Sequence, residues 1–313
     1  DEGVATVSCA GGLRVQFTKE IQRTTVQGSL LTLKVEGLLG GHSGQDIDKE
    51  RQNADLLMAR MIQRLLKETK GQLVSFNGGT KDNAIPRECE ASLIYESDEE
   101  AAKAEELACE LAETYAEELT PAEPDFSCEI SCETNRTAEA IPQDAAKEFI
   151  CAMRLAPNGI QKRNIKMDGF VVVSLNLGVV RTEEDRIVMI FSPRSSVASL
   201  QEDTKERLNT LAETFGFTVS HSSEYPGWSF KEDSPVREIC KESYKELFGE
   251  DLNIEAIHAG LECGLFSDAI KGLDAIAIGP TIANCHTPDE YLTLDSFERF
   301  YEFLKDILSR LAK

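Results

Sequence analysis

Basic residues are scarce in this chain of 313 residues: 33 lysines and arginines stand against 55 aspartates and glutamates, a formal charge of -22. Binding to polyanions rests on clustered Lys and Arg that displace counterions, so nucleic acid and anionic membranes are excluded as expected partners. Long apolar runs are missing too. None approaches the ~18 residues that a membrane-spanning helix needs, and no basic-then-apolar leader opens the sequence. A Cys-x-x-Cys pair is also absent. The nine cysteines, an odd number, lie apart at positions 9, 89, 109, 128, 132, 151, 240, 263 and 285. Such spacing suits reduced thiols better than a disulfide framework or a structural zinc knot. These absences point to a soluble, cytoplasmic protein.

What is present fits two domains, because 313 residues exceed the usual single-core size. The chain opens at Asp1 and runs at once into the strand pattern Val4 to Cys9, which ends at Gly11-Gly12. A domain that opens inside a strand is expected to continue something before it, so the chain is expected to be the later part of a longer molecule. Ser29 to Glu36 reads as a strand, and Lys49 to Glu68 as a helix with Leu57, Met61 and Leu65 on one face. Strands at Gln72 to Phe76 and Ala91 to Tyr95 flank a loop; a helix over Glu99 to Glu118 and a strand over Phe126 to Thr134 follow. This is the split βαββαβ order of a ferredoxin-like sandwich. A second, weaker copy runs from a helix near Gln143 to a strand at Phe217 to His221. After Tyr225-Pro-Gly-Trp228 the pattern changes to short strands between amphipathic helices, the signature of an α/β layer with a parallel sheet. The predicted domains are an end segment 1–12, an inserted α+β domain 13–222, and an α/β segment 223–313.

Four loops carry the chemistry. His42, one of only four histidines, sits in Gly40-Gly41-His42-Ser43-Gly44, where glycines leave an imidazole uncovered; a turn residue is the plainer reading. Asn83, in Asn83-Ala-Ile-Pro86, either makes its own turn or binds a peptide group. Arg194 follows a strand and precedes two serines, which suits either a strand-end arginine or a fork for a substrate carboxylate. His286, in His286-Thr-Pro-Asp-Glu290, lies between a strand end and the last helix, where a metal ligand is credible; Asp289 and Glu290 are expected to begin that helix. His258-Ala-Gly260-Leu-Glu262-Cys263-Gly264 is a further strand-to-loop junction, read as a pocket wall. Cys128 and Cys132 fall on one face of a strand as small apolar residues.

Taken in order, these motifs together with Cys9-Ala-Gly-Gly12 and Tyr225-Pro-Gly-Trp228 resemble the aminoacyl-histidine dipeptidases of the di-zinc aminopeptidase and carboxypeptidase-like metallopeptidases, over essentially the whole chain. The resemblance implies a zinc-peptidase-like α/β catalytic domain interrupted by a doubled, ferredoxin-like lid and dimerisation domain. It implies two Zn(2+), with Co or Mn as substitutes, and His286 as a ligand. The residue matching His42 would reach the scissile carbonyl from the partner subunit of a homodimer. Those matching Asn83 and Arg194 would hold the dipeptide, Arg194 at its carboxylate, with Gly260, His258 and Glu262 beside it. The acidic metal ligands of that group have no counterpart in this sequence. Three readings follow: the carboxy-terminal portion of an Xaa-His metallodipeptidase, inactive alone; a metal-free relative used for peptide binding or dimerisation; and a thiol hydrolase.

Overall fold

The computed structural model describes residues 1–165, 169–284 and 288–312. Two compact units divide the chain: a smaller one of Asp1–Gly12, Ser195–Ala198 and Tyr225–Lys313, and a larger one of Leu13–Arg194 and Ser199–Glu224. The chain begins with strands β1 (Val4–Cys9), β2 (Gly11–Glu20), β3 (Thr24–Glu36) and the two-residue β4 (Gly41–His42). A 3-10 turn at Ile47–Lys49 precedes helix α1 (Ala54–Glu68), then β5 (Gln72–Gly78), β6 (Ala84–Ile85), β7 (Cys89–Tyr95), α2 (Asp98–Leu119) and β8 (Ser127–Ala140). Next come α3 (Gln143–Leu155), β9 (Gly159–Asn164), β10 (Phe170–Thr182), β11 (Arg186–Ser195), α4 (Ala198–Thr214) and β12 (Thr218–Tyr225). The remainder holds α5 (Pro235–Phe248), β13 (Asn253–Ile257), α6 (Glu262–Ala269), β14 (Ala277–Ile278), β15 (Ile282–Ala283), β16 (Tyr291–Leu292) and α7 (Leu294–Leu311).

The larger unit is built on one sheet in the order β12-β2-β11-β10-β5-β7-β3-β8, with β9 added on β10. Its half from β5 to β8 is the expected βαββαβ unit. Numbered within that unit, the strands lie in the ferredoxin-like order 4-1-3-2, β8-β3-β7-β5. The pairs β3 with β7, β3 with β8 and β5 with β7 are all antiparallel. The other half repeats the arrangement, β12-β2-β11-β10, and supplies what the sequence pattern missed. The first strand of the second copy is β2, which lies before the whole first unit, so the first unit is inserted between β2 and α3. The two halves join through the antiparallel pair β10 with β5, Val180 opposite Gly78.

Helix α1 starts later than its periodicity predicts because Asn53 caps it, accepting from the amides of Asp55 and Leu56. It buries Leu57, Met58, Met61, Ile62 and Leu65. These side chains join one continuous core with residues of α2, α3, α4 and the sheet, including an edge-to-face contact of Phe76 with Phe149 at 5.4 Å. Fully burying each large apolar side chain stabilises by about 1.5–3 kcal/mol, so the unit needs no covalent brace. Cys128 and Cys132 share the half-buried face of β8 and pack against this core.

In the smaller unit β1 pairs with β13 in parallel and with β14 in the antiparallel sense, so its sheet is mixed where a parallel one was expected. Helices α5 and α7 bury Tyr244, Cys240, Phe303 and Ile307 against Ala5 and Leu252. Asp289 and Glu290 do not begin the last helix. Tyr291–Leu292 pairs with Ile282–Ala283 first, and the helix starts after the cap residue Thr293.

Candidate functional site

His42 stands in a loop that the larger unit fixes from several directions. Strand β4 pairs with β6, placing His42 opposite Ala84, and the Ser43 amide donates to the Asn83 carbonyl at 2.9 Å. Two of the expected site residues are thereby brought side by side. Gly41 makes this possible: its φ is +138°, and a Cβ there would lie 2.6 Å from the Arg51 guanidinium and 2.8 Å from Asp46. The His42 amide donates to Asp46 Oδ2 at 2.7 Å, and Lys49 holds the other Asp46 oxygen at 2.6 Å. The Lys49 bond and the His42 amide keep the Asp46 carboxyl below the usual carboxylate range.

The imidazole itself is oriented. Its Nδ1 accepts from the amides of Gly44 at 3.2 Å and Gln45 at 3.0 Å, so the neutral ring carries its proton on Nε2. Burial lowers the His42 pKa below its ordinary value, the Arg194 charge lowers it further, and Asp46 opposes both. At neutral pH His42 is therefore an uncharged Nε2–H donor. Arg194, at the end of β11, is 6% exposed. His42 and Asn83 belong to the first βαββαβ half and Arg194 to the second, and within the chain the Arg194 charge acts on His42. Asn83 is exposed.

Several residues that support the site gave no signal in the sequence. Glu123, 2% exposed, accepts from the Leu39 amide at 2.7 Å and the Gln52 amide at 2.8 Å, tying both ends of the His42 loop. Asn176 in β10 donates to the Ala84 carbonyl at 2.8 Å. Their partners are backbone groups remote in sequence, which no local motif marks. A cleft of about 760 Å³ runs beside the paired strands β4 and β6, lined by Gly41, Asn77, Ala84, Ile85, Arg87 and Arg181. A larger one of about 1030 Å³ lies between α1 and α3 and touches none of the candidate residues. The first cleft adjoins the paired strands that carry His42, but its lining too lacks His42, Asn83 and Arg194.

The smaller unit holds the remaining candidates. His258 is buried just after β13. Gly260 is exposed and lies so near Tyr225 that a Cβ would meet its ring at 2.8 Å. Glu262 is not in a loop as expected; it opens α6, where an acid suits the helix N-terminus. His286 lies outside the described residues. Among the described residues no three His, Cys, Asp or Glu side chains gather as a metal site. They do not by themselves fit a two-zinc centre. Burial pushes the Cys9 and Cys263 thiols up, away from the thiolate form that a nucleophile needs. Cys285 lies outside the described residues.

The architecture is a mixed α/β protein with one large sheet. Residues 34–310 match Peptidase family M20/M25/M40, and the chain belongs to that family. It is 32% identical over 317 residues to the cytosol non-specific dipeptidase of Escherichia coli (strain K12), a match that covers 99% of this chain and 64% of that protein. The crystal structure of aminoacylhistidine dipeptidase from Vibrio alginolyticus superposes with a TM-score of 0.93 at 33% identity, covering 99% of this chain and 63% of that one. The fold is thus that of an M20 dipeptidase structure. The chain spans just under two thirds of the length of both relatives.

Proposed function

We propose that the protein carrying this chain hydrolyses dipeptides of the Xaa-His type in a metal-dependent reaction, and that this chain supplies the residues that hold the substrate. The observation that carries the reading is His42, fixed as a neutral Nε2–H donor within the field of Arg194. The names of the two relatives, both dipeptidases, support the substrate class. Two zinc ions, or cobalt or manganese on similar ligands, enter by the resemblance, with His286 as one ligand. When bound, such ions supply an activated water.

The chain's own residues have distinct tasks. The desolvated Arg194 guanidinium receives the substrate carboxylate in a charge-assisted pair. The Asn83 carboxamide binds the peptide backbone, and the resemblance adds Gly260, His258 and Glu262 as further substrate contacts. His42 Nε2–H donates to the scissile carbonyl oxygen as negative charge develops there, and it stays neutral while doing so. A cytoplasmic location belongs to the same proposal; no helix among the described residues is long and apolar enough to cross a membrane.

The resemblance implies a homodimer through the inserted domain, with His42 acting on the partner's substrate. A second reading is favoured by the action of Arg194 on His42 within one chain. In it the two βαββαβ halves provide His42 and Arg194 together, and a dimer, if formed, is not needed to complete the site.

Arg194→Ala is expected to weaken kcat/KM for free dipeptides by about 1.5–3 kcal/mol, the worth of a charge-assisted pair. The same change removes a positive charge near His42, so the imidazole pKa rises toward its ordinary value, as an NMR titration reports. Unchanged kinetics toward dipeptides with a free carboxylate would refute the assignment. Alkylation of accessible thiols, with Cys109 exposed, is expected to leave hydrolysis intact; stoichiometric inactivation would revive the thiol reading.

A further inference from the structure

We infer that Asn176, a buried residue of β10, is a positioning residue that holds Asn83 and His42 in their working arrangement. This rests on the reading of those two as substrate-holding groups. Asn176 is 0% exposed, so its side chain is closed off from solvent. Its Nδ2 donates to the carbonyls of Ala84 at 2.8 Å and Asp82 at 3.5 Å, the two residues that flank Asn83. The Asn83 carbonyl is in turn held by the Ser43 amide, and Ala84 pairs with His42. Fixing these carbonyls therefore fixes the backbone on both sides of the Asn83 side chain and the register of the His42 strand against it.

The carboxamide is oriented from behind. Asn53 Nδ2 faces Asn176 Oδ1 at 3.5 Å and donates to the Leu177 carbonyl at 2.8 Å, while Asn53 Oδ1 caps α1. With its oxygen facing a donor, Asn176 directs its two N–H groups at the loop. Two asparagines thus connect the start of α1 and the strand β10 to a loop that neither element contains. The connection crosses the seam between the βαββαβ halves, since Asn53 and Asn83 belong to one and Asn176 to the other. It gives the second half, which carries Arg194, a direct hold on the groups of the first.

The test uses Asn176→Asp, which keeps the shape and leaves at most one O–H in place of the two N–H donors, in protein labelled with ¹⁵N at its four histidines. His42→Ala identifies the His42 signals. The expected result is a His42 ring that loses its fixed Nε2–H form and mixes tautomers, with kcat/KM for a dipeptide lowered at least tenfold, since small misplacements of such groups are costly. Perturbed His42 signals with unchanged hydrolysis would keep the positioning inference and sink the substrate-holding reading. Unmoved His42 signals overturn the inference, whatever the activity does. Should Asn176→Asp not fold, Asn53→Asp keeps the helix-capping acceptor and removes the donor behind Asn176; it must shift the same signals in the same direction, and unmoved signals there are equally fatal.

Discussion

Replacing His42 with alanine is expected to lower dipeptide turnover about 100- to 1,000-fold in the protein that carries this chain, the scale of losing one oxyanion donor. Metal content should not change, because His42 holds its ring with backbone amides and Asp46 holds its amide; neither contact involves a metal ligand. The pH profile separates this role from that of a general base. Burial first and Arg194 second lower the His42 pKa, so the donor form persists below the ordinary histidine range. Protonation of Nδ1 would also displace the Gly44 and Gln45 amides. Activity dependent on His42 should therefore be flat through neutral pH and fall only in more acidic solution. A loss of activity centred at or above the ordinary histidine value would contradict the donor assignment.

Asp55→Asn is expected to raise stability at pH 7.5 by about 2–4 kcal/mol. Asp55 lies in the first turn of α1, wholly buried, and neither carboxylate oxygen has a hydrogen bond of ordinary geometry. Burial raises its pKa to about 8, opposed only in part by the Cys89 thiol and the Arg181 charge. A position near a helix N-terminus favours the ionised form, but by a few tenths to 1 kcal/mol, which desolvation exceeds. The folded pKa thus lies above the unfolded one. The protonated acid's contribution is fully present below about pH 4 and is lost as pH rises through about 8. Urea unfolding of the wild-type chain should lose stability over that interval, whereas Asp55→Asn should lose less. Parallel pH dependence in the two proteins would show that Asp55 is not held neutral.

The sequence made much of this fold readable because its signals are local. The helix stripes of α1, α2, α3 and α7 and the paired strands around Asn77 to Glu90 all lie within a few residues of their expected places. What stayed hidden is non-local. Strand β2 is absent from the sequence reading, and only the sheet order places it beside β11 and β12, on the far side of an insertion. Helix α6 has eight residues, no side-chain cap and a glycine at 264, so neither periodicity nor a start signal marks it. At the site, His42 and Asn83 are conspicuous because they are polar side chains in glycine-containing loops, which do not serve packing. Glu123, Asn53 and Asn176 look like any other polar residues, since what distinguishes them is a backbone partner brought near by the fold.

The second reading, in which one chain supplies both His42 and Arg194, is tested most directly by mixing two impaired variants, His42→Ala and Arg194→Ala, under conditions that allow subunits to exchange, and assaying dipeptide hydrolysis. Each variant chain lacks one member of the group, so if both must come from the same chain, the mixture should show only the mean of the two residual activities. Recovery toward a quarter or more of wild-type turnover, appearing as mixed dimers form, would mean that His42 of one copy serves Arg194 of another, and would contradict the one-chain account.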